Sequence, residues 1–177
     1  MKRFALVAAA LAAAAVAAPA KAQSPIAVEG RVGIAYPTGD FGEGLGLGYA
    51  IGANVSLNVT PQIAVYGGYT HTQFDFDDDL VDTDETYNLQ GFDAGARLSL
   101  PMAGLSPYLR GGVVYYKGGV SDGPDSDNQL GFQAGVGLNY TLGPTVSFTP
   151  EVSYVNVPDD AGDASFVRAD VGLRFRL

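Results

Sequence analysis

Leu130-Gly131-Phe132-Gln133-Ala134-Gly135-Val136-Gly137-Leu138-Asn139-Tyr140-Thr141-Leu142 is the stretch that decides the fold. Leu130, Phe132, Ala134, Val136, Leu138, Tyr140 and Leu142 are apolar, and the residues between them are Gly, Gln, Asn and Thr. A period of two places the two sets on opposite faces of a β-strand. Leu45–Leu57 repeats the pattern, with Leu45, Leu47, Tyr49, Ile51, Ala53, Val55 and Leu57 on the apolar face.

Outward from these two stretches the same period predicts six more strands. They cover about Ile26–Tyr36, Ile63–Phe76, Tyr87–Leu100, Pro107–Lys117, Val146–Val155 and Phe166–Leu177. In Ile63–Phe76 both faces are mixed, and period two does not choose between them. Ten or so residues per strand is the length a tilted membrane strand requires. No stretch carries a helical period.

The connections alternate in kind. Thr60-Pro61-Gln62 and Gly143-Pro144-Thr145 are tight and uncharged, and Pro101–Ser106 is slightly longer. The other four are acidic: Asp40 and Glu43; Asp77 through Glu85; Asp122, Asp125 and Asp127; and Asp159, Asp160 and Asp163. Short turns at one end and long loops at the other predict an all-β, eight-stranded antiparallel up-and-down transmembrane barrel. An even strand count puts both termini on the short-turn side, towards the periplasm, and the acidic loops outside.

Which face meets solvent follows from the polar set. It is mainly Gly, Asn, Ser and Thr, with Arg31, Arg97, Arg110, Arg168, Arg174 and Arg176 on it. Its acids by phase are Glu29, Asp93, Glu151 and Asp170. Such a set suits an enclosed, paired network better than a solvated surface, which normally carries many lysines. The apolar face is therefore expected to meet lipid and the polar face to line a lumen. A soluble up-and-down barrel, with the faces reversed, is the competing arrangement. Lipid offers backbone groups no partner, so the last strand must close on the first. That closure predicts a salt-bridge cluster of Arg174 and Arg176 with Glu29. Girdles are expected from Tyr36, Phe76, Tyr87, Tyr115, Phe132 and Tyr154 at the loop ends, and from Tyr140, Phe148 and Phe175 at the turn ends.

The N-terminus reads as a signal peptide over residues 1–22. Met1-Lys2-Arg3 precedes an apolar run from Phe4 to about Ala18, and Ala20-Lys21-Ala22 offers a small-x-small cleavage site. Residues 23–177 would then form the barrel domain. Loss of Lys2, Arg3 and Lys21 moves the formal charge from −9 to −12. That balance argues against nucleic acid. The chain has no Cys, hence no disulfide, thiol nucleophile or Cys-based metal site.

Catalysis finds little support. His71 is the only histidine, and Thr70 and Thr72 share the face opposite to His71 and Asp75. A hydrolase needs nucleophile, base and orienting acid within reach of one another. His71 is expected to be a lumen or interface polar group. Asp75, Asp77, Asp78, Asp79, Asp82, Asp84 and Glu85 lack the glycine of an EF-hand loop and read as a solvated run. No cofactor, metal site or catalytic residue is expected.

Asp170-Val171-Gly172-Leu173-Arg174-Phe175-Arg176-Leu177 resembles the C-terminal targeting signal of bacterial outer-membrane barrels, with Asp170, Gly172 and Phe175 at the matching positions. Leu177 stands where Phe is usual. Gly33-Ile34-Ala35-Tyr36-Pro37-Thr38-Gly39-Asp40-Phe41 is similar to the first strand and loop of OmpA/OmpX-like barrels of the porin family. The resemblance implies a Gram-negative outer-membrane location, recognition by the barrel assembly machinery, and contact with outer-membrane lipid and lipopolysaccharide. A monomer in a structural, envelope-integrity or surface-interaction role is the leading functional expectation. A narrow pore and an adhesin acting through the acidic loops are the alternatives.

Overall fold

The computed structural model describes residues 25–177 apart from 43, 77–85, 101, 103, 121–127 and 159–162. The region expected to be the signal peptide, together with Glu43, Asp77 through Glu85, Asp122, Asp125, Asp127, Asp159 and Asp160, lies outside the described residues.

The strands are β1 (Ile26–Thr38), β2 (Leu45–Asn58), β3 (Ile63–Phe76), β4 (Thr86–Ser99), β5 (Leu105–Val120), β6 (Asn128–Thr141), β7 (Val146–Phe148), β8 (Glu151–Val157) and β9 (Ala164–Arg176). β7 and β8 are two halves of one barrel strand. Phe148 faces Leu173 and Glu151 faces Asp170, so register passes through Thr149 and Pro150 with nothing inserted. Pro150 supplies no N–H to the ladder, but its carbonyl still accepts from Leu138 N at 3.0 Å. The barrel thus has eight antiparallel strands, and β9 closes on β1 from Ala27↔Arg176 to Thr38↔Ser165.

Register fixes the shape. Val28 faces Val55, Val55 faces Gly67, Gly67 faces Ala94, Ala94 faces Val113 and Val113 faces Phe132. Phe132 faces Asn156, Asn156 faces Ser165, and Ser165 faces Thr38. One circuit therefore returns to β1 ten residues beyond its start. Ten residues at about 3.3 Å, set against eight strands about 4.8 Å apart, give a tilt of about 40° and a backbone radius of about 8 Å. A lumen that narrow holds side chains. A strand of β1's length then rises about 33 Å along the axis, enough to cross a hydrocarbon core of about 30 Å.

Alternation places the two faces as expected. Val32, Ile34, Ile51, Val55, Phe92, Leu109 and Val136 are about half exposed or more on the outside. The inward positions carry buried Arg, Glu and Asp. An apolar exterior around a charged interior reverses the arrangement of a soluble barrel and suits lipid. β3 resolves cleanly: Ala64, Tyr66, Thr70, Thr72 and Phe74 are buried inward, and Ile63, Val65 and Tyr69 are exposed.

Three face assignments are corrected. Phe76 lies two residues beyond the buried Phe74 and opposite Leu45, so it shares their inward face and is not part of the outer girdle. Leu45 packs against the buried apolar cluster instead of facing out. β2 bulges here, because Leu45 faces Phe76 while Gly48 faces Phe74 and one extra residue lies between. A bulge of one residue turns every side chain beyond it to the opposite face. Tyr87 also packs inward, edge-on to Phe41 with ring centroids 5.5 Å apart, and is not part of the outer girdle.

The ends are closed locally. Thr60 Oγ1 accepts from Ile63 N at 3.0 Å and Gln62 N at 3.3 Å, which ties the β2–β3 turn. At the loop end Gly39 takes φ of 64°, a left-handed conformation that suits glycine, and begins a one-turn 3-10 helix (Gly39–Gly42). That turn carries Phe41 over the barrel.

Candidate functional site

The lumen is the site the sequence singles out, and it has two storeys. In the turn half and middle, four arginines meet four carboxylates. Arg31, Arg97, Arg110 and Arg168 are buried, as are Glu29, Asp93, Glu151 and Asp170. They come from β1, β4, β5, β8 and β9, so charges far apart in the chain meet only because the sheet closes.

All eight join in one connected network with Arg31 at its hub. Arg31 Nη2 lies 2.8 Å from Glu151 Oε1 and 3.4 Å from Asp170 Oδ2, and Arg31 Nε lies 3.4 Å from Glu29 Oε1. Glu29 continues to Arg97 at 3.3 Å, and Asp170 to Arg168 at 2.8 Å. Glu151 continues to Arg110 at 3.6 Å, and Arg110 to Asp93 at 2.7 Å. Buried charges persist only when paired, and here the formal charges cancel.

Neutral side chains complete the storey. Thr70 Oγ1 and Gln133 Nε2 donate to Asp93 at 3.3 and 3.0 Å. Tyr108 and Tyr66 lie under guanidinium groups, with Arg97 Cζ 3.6 Å and Arg110 Cζ 4.0 Å from the ring centroids. Glycine makes room for them. A Cβ on Gly95 or Gly112 would come within 2.7 or 2.6 Å of the Tyr66 hydroxyl.

Arg174 and Arg176 stand at the turn-end mouth, only partly buried. They do face Glu29 and Ala27 across the seam. The ion pairs of Glu29 nevertheless run to Arg31 and Arg97. Arg174 donates to Ser56 Oγ at 2.9 Å and Asn58 Oδ1 at 3.4 Å. The expected seam cluster is thus replaced by a network across the lumen. Long arginines inside a narrow cylinder reach opposite walls as readily as neighbouring strands.

The loop half of the lumen is apolar, which sequence reasoning missed. Phe74, Leu89, Val114, Tyr116, Val155 and Phe166 are buried there at 0–2% exposure. Phe74 meets Phe166 edge-on at 5.4 Å, and Phe41 closes over Phe74 at 5.4 Å and 89°. The signal was present in the mixed faces of β3. Inward positions turn apolar near the loop ends of β3, β4, β5, β8 and β9, so alternation fades where both faces are apolar.

His71 points to the outer wall, with its Nδ1 3.3 Å from Gln90 Oε1. Thr70 and Thr72 are buried inside. The wall therefore separates the histidine from both hydroxyls. Among the described residues, no group of three or more His, Cys, Asp or Glu side chains is placed to hold a metal.

A cavity of about 840 Å³ opens on the outside of the barrel. It follows a furrow between two cross-strand rows, one running through Leu109, Val136, Val152 and Ala169, the other through Pro107 and Leu138. Its apolar walls face the medium around the barrel.

Comparison with known proteins agrees with this architecture. Neisserial surface protein A shares 15% identity over 89% of this chain and 100% of its own, with a TM-score of 0.70. Ail, the attachment invasion locus protein of Yersinia pestis, shares 18% over 84% of this chain and 98% of its own, with a TM-score of 0.51. OprG, an outer membrane protein of Pseudomonas aeruginosa, shares 13% over 85% and 96%, with a TM-score of 0.55. At these identities the likeness concerns the fold. No curated protein sequence matches the chain. The model of the outer membrane protein beta-barrel domain matches residues 5–175, and the chain belongs to that family.

Proposed function

We propose that the protein is a non-enzymatic, non-conducting barrel of the Gram-negative outer membrane that supports envelope integrity. The observation that carries this reading is the doubly closed lumen. A charge-neutral network fills the turn half, and the Phe41–Phe74–Phe166 stack fills the loop half. A solute would have to break buried ion pairs and then part a packed apolar layer. The separation of His71 from Thr70 and Thr72 leaves the lumen without a nucleophile–base pair of that kind.

The termini are assigned to the periplasm and the acidic loops to the outside, consistent with the short turns lying beside residues 26 and 177. Residues 1–22 act as the export signal. Asp170, Gly172, Phe175 and Leu177 form the recognition sequence for the assembly machinery. Phe175 and Leu177 lie on the exposed outer face, accessible to such a partner. The working form is a monomer in contact with outer-membrane lipid and lipopolysaccharide.

Planar-bilayer recording tests the reading. The wild-type barrel should give a flat baseline, and steady single-channel steps would establish the narrow-pore alternative instead.

A surface-attachment role is the second reading. Ail has been solved with the heparin analogue sucrose octasulfate. The acidic loops of this chain would repel such a polyanion, so an attachment partner here would be basic. Loop deletion followed by a surface-binding assay separates this role from the structural one.

A further inference from the structure

The eight-membered charge network is neutral by itself, and Arg174 stands outside it at the turn-end mouth of the lumen. Arg174 is only partly buried, and its two hydrogen bonds both leave from Nη2, to the neutral acceptors Ser56 Oγ and Asn58 Oδ1. Its Nε and Nη1 donate to no protein atom, and no lumen ion pair reaches it.

A second guanidinium lies close by. Arg174 faces Glu29 in register across the seam, and Arg97 Nη1 reaches the same Glu29 at 3.3 Å from across the lumen. Arg97 is 6% exposed, yet its Nη2 has no hydrogen-bond partner. Glu29 does not balance both arginines, because its oxygens already serve Arg31 and Arg97. On the turn side of the network, alternation points Ser56, Asn58, Ser99, Ser106, Thr141 and Ser147 inward. Among the described residues, no inward aspartate or glutamate stands at that level. The mouth is therefore a cup of hydroxyl and amide groups with an unbalanced positive charge.

We propose that this mouth binds a small phosphate-type oxyanion from the aqueous phase, held between Arg174 and Arg97. A guanidinium presents planar, parallel donors that match two oxygens of a phosphate. Two guanidiniums that both keep unused donors grip different oxygens of one tetrahedral anion. Hydroxyls of the wall rotate to donate to the rest. A partly buried charge without a counter-charge is costly, and the anion offsets that cost. The cup lies inside the cylinder, away from the lipid-facing wall, so the ligand is a soluble one. Beyond it the charge network and the Phe41–Phe74–Phe166 stack bar the way. The site is a blind pocket, and its occupancy goes beyond the envelope role without requiring conductance.

The test follows the unfolding midpoint of the full barrel in zwitterionic nanodiscs as sodium phosphate replaces sodium chloride at constant ionic strength and pH. A ligand held only by the folded form raises the midpoint by mass action. Wild-type protein should show a saturable rise. Arg174→Gln breaks no ion pair and should fold, as its heat-dependent gel shift will report, but should bind phosphate about tenfold more weakly. Arg174→Lys should fall between the two. Lys117→Gln, at the far end of the barrel, should keep the wild-type response. In the wild-type barrel, the nitrogen-15 signals of the Arg174 and Arg97 guanidiniums should shift as phosphate saturates. A wild-type midpoint no higher in phosphate than in chloride would overturn the site. So would a full response in folded Arg174→Gln, or unmoved guanidinium signals, which decide the matter even where the variant fails to fold. Each of these outcomes leaves the flat bilayer baseline untouched, whereas single-channel steps would sink the non-conducting reading alone.

Discussion

Arg31 Nη2 on β1 lies 2.8 Å from Glu151 Oε1 on β8, and through this contact the network on the first strand reaches that of Arg110 and Asp93. The two residues lie 120 positions apart in the chain and on strands that do not pair directly. β9 stands between them, and its Asp170 also reaches Arg31. The hub is therefore a property of the closed cylinder, absent from any hairpin within it.

Removing the hub should be expensive. Arg31→Ala leaves Glu151, Asp170 and Glu29 short of a cation, and we expect a loss of about 3–5 kcal/mol, read from urea unfolding of the barrel in lipid vesicles. Glu29→Gln together with Glu151→Gln should also lower unfolding temperature. Because these groups share partners, a double-mutant cycle of Arg31 and Glu151 should be non-additive by about 0.5–3 kcal/mol. Strict additivity would mean that the network is not energetically connected.

The face assignment has its own test. Val136 is 58% exposed on the outer wall, well inside the apolar band. Val136→Arg should cost about 2–4 kcal/mol in lipid vesicles. A negligible cost would show that this face does not meet lipid.

Packing of Tyr66 against the wall predicts intolerance at two glycines. Gly112→Ala places a Cβ against the Tyr66 hydroxyl and the carbonyl of Ala94, and Gly95→Ala places one against the same hydroxyl and the carbonyl of Gly111. Overpacking of this kind costs about 1–3 kcal/mol. The open position Gly30, where an added Cβ would meet nothing within 4 Å, should accept alanine with little change in unfolding midpoint.

The two storeys of the lumen should act as gates in series. Phe74→Ala with Phe166→Ala removes the apolar stack, but the charge network remains, so conductance should stay near baseline. Adding Tyr66→Ala and Tyr108→Ala also takes away the rings beneath Arg110 and Arg97, and measurable ion flow should appear in a planar bilayer. Conductance from the first pair alone would assign closure to the loop half.

The closing strand predicts a biogenesis defect distinct from instability. Phe175→Ala on the exposed face of β9 should lower the amount of barrel in the outer membrane of expressing cells, with refolding of purified protein little affected. Leu177→Phe should raise it. Unchanged membrane levels in both variants would argue that Phe175 and Leu177 do not mediate recognition.

Much of the fold was legible because a strand writes its two faces into alternate positions. Leu130 to Leu142 and Leu47 to Leu57 read correctly on that basis, and the inward phase of Glu29, Arg31, Asp93, Arg97, Arg110, Glu151, Arg168 and Asp170 followed. Legibility stopped where the period was broken or erased. Leu45 escaped because a bulge shifts phase without marking the sequence. The Phe74–Phe166 layer escaped because apolar residues occupy both faces near the loop ends.

Strand count, the alternation of turn and loop, and the sharing of a wall by particular side chains are all written along the chain, since each depends on neighbours one or two positions away. Which charges meet inside is settled by closure. A circuit that returns ten residues higher sets the tilt and radius, and that radius brings Arg31 to Glu151 instead of Arg174 to Glu29. Partner choice in a closed lumen is set by distances across the cylinder, and no local pattern along the chain encodes them.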